Sequence, residues 1–203
     1  AIVEQDINEA RMIYKNVFPD EDIVTYVAPY GAVNPMATNL MAGYHWANRA
    51  AGATYSQHAS IDPTEEQWFN MPCGTVKLDT PIEKLNGWID TALAQGSWFI
   101  ELLHGVEEDS YVTTSTSYNI YKGVCREHFE YAATLTDRMW NATLEEGVKY
   151  IRERQNANLE VYYKDGDTIA VSLTDTLPDR VFDFPLTVKI PVPSDWTEVK
   201  GTN

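Results

Sequence analysis

The sequence predicts an α/β fold with a largely parallel sheet, followed by a small antiparallel β appendage at its C-terminal end. Three observations predict it. Short apolar runs rich in β-branched and aromatic residues alternate with segments of helical periodicity over residues 1–155. The periodicity changes after Gln155, and the two β-type runs that follow are joined by Asp165-Gly166, a strong hairpin signal.

Ile7, Ala10, Met12, Ile13 and Val17 recur at near-helical spacing, so residues 4–18 read as an amphipathic helix that Pro19 ends. Residues 23–27, Ile-Val-Thr-Tyr-Val, read as a buried strand broken by Ala28-Pro29-Tyr30-Gly31. A helix is expected over 34–43, closing at Gly43, and a short strand over 75–78. Pro81 suits a helix start, and Ile82, Leu85, Ile89, Ala92 and Leu93 supply the apolar face of a helix over 81–94. Residues 98–103, Trp-Phe-Ile-Glu-Leu-Leu, form the second core strand, ending at His104-Gly105. Residues 110–121 lack periodicity and read as a long loop, before helices at 126–135 and 144–155. In the appendage, 156–203, strands are expected at 159–163 and 168–173 around a Lys164–Asp167 turn, with a third at 186–190. Its packing elements, Trp196 among them, either cover an open face of the main domain or bind glycan.

A hydrophobic content of 44% over 203 residues is enough for a real core, which excludes disorder as the default. A net charge of −15, with 15 basic residues that form no stripe, excludes a nucleic-acid partner. Neutral or cationic substrates remain compatible with such a surface. No stretch is long and apolar enough for a membrane span. The chain opens at Ala1 without a signal peptide, as expected of a processed or trimmed polypeptide. Cys73 and Cys125 form no CxxC pair and read as buried thiols or, in an exported protein, as a disulfide.

Two strand ends carry the candidate chemistry. His104 follows a core strand, where α/β sheets and barrels gather their active sites, and a histidine there can move protons near neutral pH. The plainer role is to cap the strand and bond a loop carbonyl. Pro29-Tyr30-Gly31 ends the other strand, in a tight turn that leaves the tyrosine main chain exposed or simply turns the chain. His45, His58 and His128 have no metal-ligand spacing to one another. Asp62 and Asp90 read as cap or surface carboxylates. Of the tryptophans, Trp46, Trp88, Trp98 and Trp140 sit in apolar runs and read as core. Trp68, Tyr111, Tyr118 and Tyr121 fall in expected loops and are the candidates for stacking on a sugar ring. Asn141-Ala142-Thr143 matches a glycosylation sequon, a triplet common by chance.

The candidate positions fall into ordered blocks. The first is the strand ending in Ala28-Pro29-Tyr30-Gly31, a helix, and Gly43-Tyr44-His45-Trp46-Ala47-Asn48-Arg49. The second runs from Trp88-Ile89-Asp90-Thr91-Ala92-Leu93 to Trp98-Phe99-Ile100-Glu101-Leu102-Leu103-His104-Gly105. The third is Met139-Trp140-Asn141-Ala142-Thr143 with Val148-Lys149-Tyr150-Ile151. In this order they resemble the back half of the polysaccharide deacetylase (NodB-like carbohydrate esterase) family, over residues 1–155. The second resembles that family's Leu-x-His strand, and the third its final strand and helix.

That resemblance implies a partial distorted (β/α) barrel and a metal-dependent hydrolase that removes acetyl groups from N-acetylated sugars of a polysaccharide or peptidoglycan. It implies His104 as the acid that protonates the leaving amine, the main chain at Tyr30 beside Pro29 as part of the oxyanion site, and Leu102 lining the acetyl pocket. It also implies a divalent metal, zinc, and work outside the cell or at its envelope. The family's Asp-Asp motif and His-x-x-x-His pair, which carry the metal ligands and the base, do not occur in this chain. An alternative is therefore a non-catalytic carbohydrate-binding or assembly module on the same scaffold. Without the front half, apolar edges and faces are exposed, so the chain is expected to pair with another copy or to rearrange.

Overall fold

In a computed structural model of the chain, residues 2–31, 34–50, 58–113, 117–166, 168–196 and 200 are described, the side chains of 163–165 excepted. Helix α1 (Ile2–Val17) leads to β1 (Thr25–Val27), α2 (Pro35–Ala42) and β2 (Ala47–Arg49). Then come β3 (His58–Ala59), α3 (Glu65–Trp68), β4 (Gly74–Thr75), α4 (Ile82–Gln95), β5 (Trp98–Phe99) and β6 (Glu101–Leu102). The remainder is β7 (Val106–Glu107), β8 (Ile120–Tyr121), α5 (Lys122–Ala133), α6 (Leu144–Asn156), β9 (Asn158–Asp165) and β10 (Thr168–Thr174).

The parallel character expected of the sheet is present, in short pieces. β1 runs parallel to β2, β4 to β6 and β7 to β8. Arg49 forms a parallel bridge to Met71. The Gly74 and Val76 amides donate to the Ile100 and Leu102 carbonyls at 2.8 and 2.9 Å, and the His104 amide donates to the Tyr118 carbonyl at 2.7 Å. Extended segments thus lie side by side in chain order, the arrangement that successive βαβ units produce. β3 pairs antiparallel with β5 instead. Each ladder among the described residues is two-stranded, and none closes into a barrel.

Helix termini follow local chemistry. Asn34 caps α2 by accepting from the Ala37 amide at 2.9 Å, with Pro35 at the first helical position. Thr143 and Glu146 form a capping box at α6, and Thr64 and Gln67 do the same at α3. The second box corrects the loop expected at Trp68: that residue ends a helical turn and is fully buried. Its indole donates to Gln155 Oε1 at 3.3 Å. The buried Arg152 guanidinium lies 4.5 Å from its ring and donates to Glu65 Oε1 and the Trp46 carbonyl, each at 2.8 Å. Trp68 is therefore removed from the candidates for sugar contact.

The main core joins Val24, Met41, Trp68, Met71, Ile100 and Ile151, and a second cluster joins Val76, Leu85, Trp88 and Ile120. Gly147 brings α6 against β5, since a Cβ there would stand 2.6 Å from the Trp98 ring. After the antiparallel β9–β10 hairpin, the chain returns to the main core: Val181 and Phe182 are buried, with Phe182 edge-on to Trp46 at 4.7 Å.

Residues 186–190, expected as a third strand, form none. Pro185, Pro191 and Pro193 flank them and remove amide donors that a ladder needs. The strand expected over 98–103 is interrupted at Ile100, and the expected loop 110–121 ends in β8. Asp167 of the expected turn and 114–116 of that loop lie outside the described residues. Cys73 is a buried free thiol and Cys125 a half-buried one, which excludes the disulfide.

Candidate functional site

Of the sequence-predicted residues, Pro29, Tyr30 and His104 lie at the C-terminal ends of parallel strands. Directly after β1, the Gly31 amide donates to the Ala28 carbonyl at 2.9 Å and closes a tight turn. Within it Tyr30 sits at φ 58°, ψ 12°, left-handed backbone that costs a non-glycine residue roughly 1–2 kcal/mol. Its side chain is 103% exposed, so no burial of the ring offsets that strain. Pro29 beside it is exposed as well.

His104 follows β6 and is exposed. Its ring lies 5.3 Å from that of Tyr118, and the Lys77 ammonium lies 5.9 Å from the same tyrosine ring. Tyr111, Tyr118 and the half-buried Tyr121 ring this end, with the Tyr121 hydroxyl donating to the Tyr111 carbonyl at 3.1 Å. The Pro29–Gly31 turn and His104 share one end of the sheet without touching: β2 and the 71–75 segment lie between them, a span of about 14 Å at ordinary strand spacing. Leu102, between Glu101 and Leu103, points the other way and packs against the main core.

The other histidines are held by neighbouring groups. His45 is buried, stacks on Tyr26 at 5.2 Å and sets Nδ1 3.4 Å from the Ile23 carbonyl. Burial pushes its pKa below the usual histidine value, and the Arg11 charge adds to that effect. His58 bonds the Trp88 carbonyl at 2.8 Å. Asp62 pairs with Arg154 at the surface, and Asp90 accepts from the Tyr131 hydroxyl. No three His, Cys, Asp or Glu side chains among the described residues stand close enough together to hold a metal ion.

Sequence reasoning missed a second constellation on the helix side of the same strand. His128, on α5 and 2% exposed, sets Nδ1 2.9 Å from Asn86 Oδ1 and Nε2 3.3 Å from Glu101 Oε2. Glu101 and His128 edge a cavity of about 770 Å³ between α4, α5 and α6, with Trp140 and Phe129 also lining it. Trp140, expected in the core, is 52% exposed. The available signal was Glu101 itself, one charge inside the apolar run 98–103, where an ionisable group needs a partner.

Comparisons with known proteins add a distant likeness. A gellan lyase from a Bacillus species is 24% identical to this chain over 150 residues, covering 72% of this chain and 6% of that protein. The chain therefore spans a small fraction of the length of the curated relative it matches. No family model matches the chain, and no solved structure matches it. Among the described residues, no helix is long and apolar enough to cross a membrane.

Proposed function

We propose that this chain recognises polysaccharide at the C-terminal end of its parallel strands, on a scaffold of the polysaccharide deacetylase type. The observation that carries this reading is Tyr30, an exposed aromatic ring on a strained turn at a strand end. Strain of that kind persists where the surroundings enforce it and collects at ligand sites. The ring offers a flat apolar face to a pyranose, and Tyr118 beside His104 offers a second. Support from outside the fold comes from the gellan lyase likeness. The net charge of −15 favours neutral or amino sugars over anionic ones.

The deacetylase resemblance adds a finer reading, in which His104 protonates the amine that leaves when an N-acetyl group is hydrolysed. Its exposure and its place at the strand end suit that task. The divalent metal implied by the same resemblance does not fit the described residues, which bring no ligand set together. On this account the chain binds glycan, and turnover needs groups that the described residues do not supply. Work outside the cell and pairing between copies belong to the same proposal.

Affinity electrophoresis of the 203-residue chain through gels containing gellan, chitosan or partly acetylated chitosan tests the reading. Retardation in at least one gel, relieved by Tyr30→Ala, is the expected result. Unretarded migration in all three overturns it. Acetate release from N-acetylglucosamine oligomers by this chain alone, abolished by His104→Ala, would replace binding with catalysis.

A further inference from the structure

The cavity edged by Glu101 is separate from the strand-end face, because neither His104 nor Tyr30 lines it. Two of its lining residues carry polar atoms with unused capacity. Glu101 Oε1 and Ser97 Oγ are both buried without a hydrogen-bond partner among the described residues, and both residues line the cavity. Buried polar groups normally find a partner, and these two atoms, on residues that line the cavity, have none among the described residues. The other Glu101 oxygen is engaged by His128, which Asn86 holds from its far side. That chain fixes the carboxylate and leaves Oε1 free.

The remaining lining is chemically matched to one class of guest. Trp140 is half exposed at the cavity while its ring is braced by Tyr150 and Phe184, each 5.5 Å away. A braced indole with a free face can stack without losing much side-chain freedom on binding. A volume of about 770 Å³ lies within the range of small-ligand pockets, roughly 300–1,000 Å³. The ligand must donate hydrogen bonds to a carboxylate, present an apolar face to an indole, and carry no negative charge toward Glu101.

We propose that this cavity is a second carbohydrate subsite, taking a pyranose unit whose hydroxyl or amino groups donate to Glu101 Oε1 and whose ring stacks on Trp140. The choice of a sugar among uncharged hydroxylated guests rests on the polysaccharide reading above; the two unsatisfied atoms and the braced indole do not. A glycan chain held at two places gains affinity through effective concentration beyond either contact alone.

Calorimetric titration with cellobiose and with the glucosamine disaccharide tests this, using the wild type, Glu101→Gln, Trp140→Ala and Tyr30→Ala. Saturable binding of one disaccharide, weakened about tenfold by Glu101→Gln and by Trp140→Ala, is expected. Because Trp140→Ala could disturb Tyr150 and Phe184, the near-isosteric Glu101→Gln decides the matter, with far-UV circular dichroism checking both variants. Disaccharide binding that both variants retain at wild-type strength overturns the subsite, as does no binding of either sugar up to its solubility limit. If the strand-end reading alone fails, Tyr30→Ala leaves polysaccharide retardation intact while Glu101→Gln reduces it. If only the subsite fails, the pattern is reversed.

Discussion

His104 and His128 lie on opposite sides of the same stretch of chain and show two ways in which a fold prepares a histidine. At the strand end, His104 is in solvent beside one tyrosine ring, on the same end of the sheet as the turn that holds Tyr30 outward. On the helix side, His128 is sunk between Asn86 and Glu101, held from both ring nitrogens. The first region is marked by exposure and backbone strain. The second is marked by burial and by polar atoms left unsatisfied around it. Residue type alone does not tell the two apart; surroundings do.

The same contrast separates the tryptophans and gives the largest expected effect. Trp68→Ala should cost about 3–5 kcal/mol in a urea melt, because the ring is fully buried and carries Arg152 on its face. Trp140→Ala, half exposed, should cost about 1 kcal/mol. Similar losses at both positions would erase the distinction between a core ring and a cavity ring.

Gly147→Ala comes next. Alanine favours a helix over glycine by about 1 kcal/mol, but its Cβ would meet Trp98 at 2.6 Å. Overpacking of this kind costs about 1–3 kcal/mol, so a net loss of about 1 kcal/mol is expected. A more stable variant would place Trp98 elsewhere and open the wall of the cavity.

pH sharpens the comparison among the histidines. His45 has a folded pKa below its unfolded value of 6.5, chiefly through burial. The unfolded chain therefore binds more protons in that window, and stability rises with pH until it is complete above 6.5. Stability should fall as pH drops through the low 6 range, and His45→Phe should flatten that slope in melts taken across it. Glu153 works oppositely at lower pH: burial raises its carboxyl above 4.5, so its contribution is present below that value and is lost as pH rises through the folded value. An unchanged slope in His45→Phe would contradict the burial of that ring.

The smallest effect belongs to the strained turn. Tyr30→Gly removes the left-handed penalty but frees the unfolded chain, so a gain of about 0.5 kcal/mol is expected in the same melts. A loss of stability would mean that the tyrosine ring packs against the fold rather than facing out.

How far the sequence foretold this molecule depends on whether a signal was local. α4 and α6 were legible because their apolar spacing, Pro81 and the Thr143–Glu146 box are contained within each helix. The β9–β10 hairpin was legible because Asp165-Gly166 supplies its own turn. Residues 186–190 have equal β-propensity, but a strand also needs an edge to pair with, and neighbouring prolines oppose it. Trp68 lies in no apolar periodic run, so its helical turn is signalled only by the Thr64–Gln67 capping box just before it. His104, Pro29 and Tyr30 were legible as strand-end residues. The Glu101–His128 pair was not, because the two residues lie 27 positions apart and meet only through the packing of α5 on β6.

The most direct measurement is a chemical-shift map of the isotopically labelled chain titrated with chitosan oligosaccharides. Saturable shifts at residues 29–31, 104–105 and 118 are predicted, with a second group at Glu101 and the Trp140 indole. A titration that leaves the strand-end amides unmoved would contradict the account.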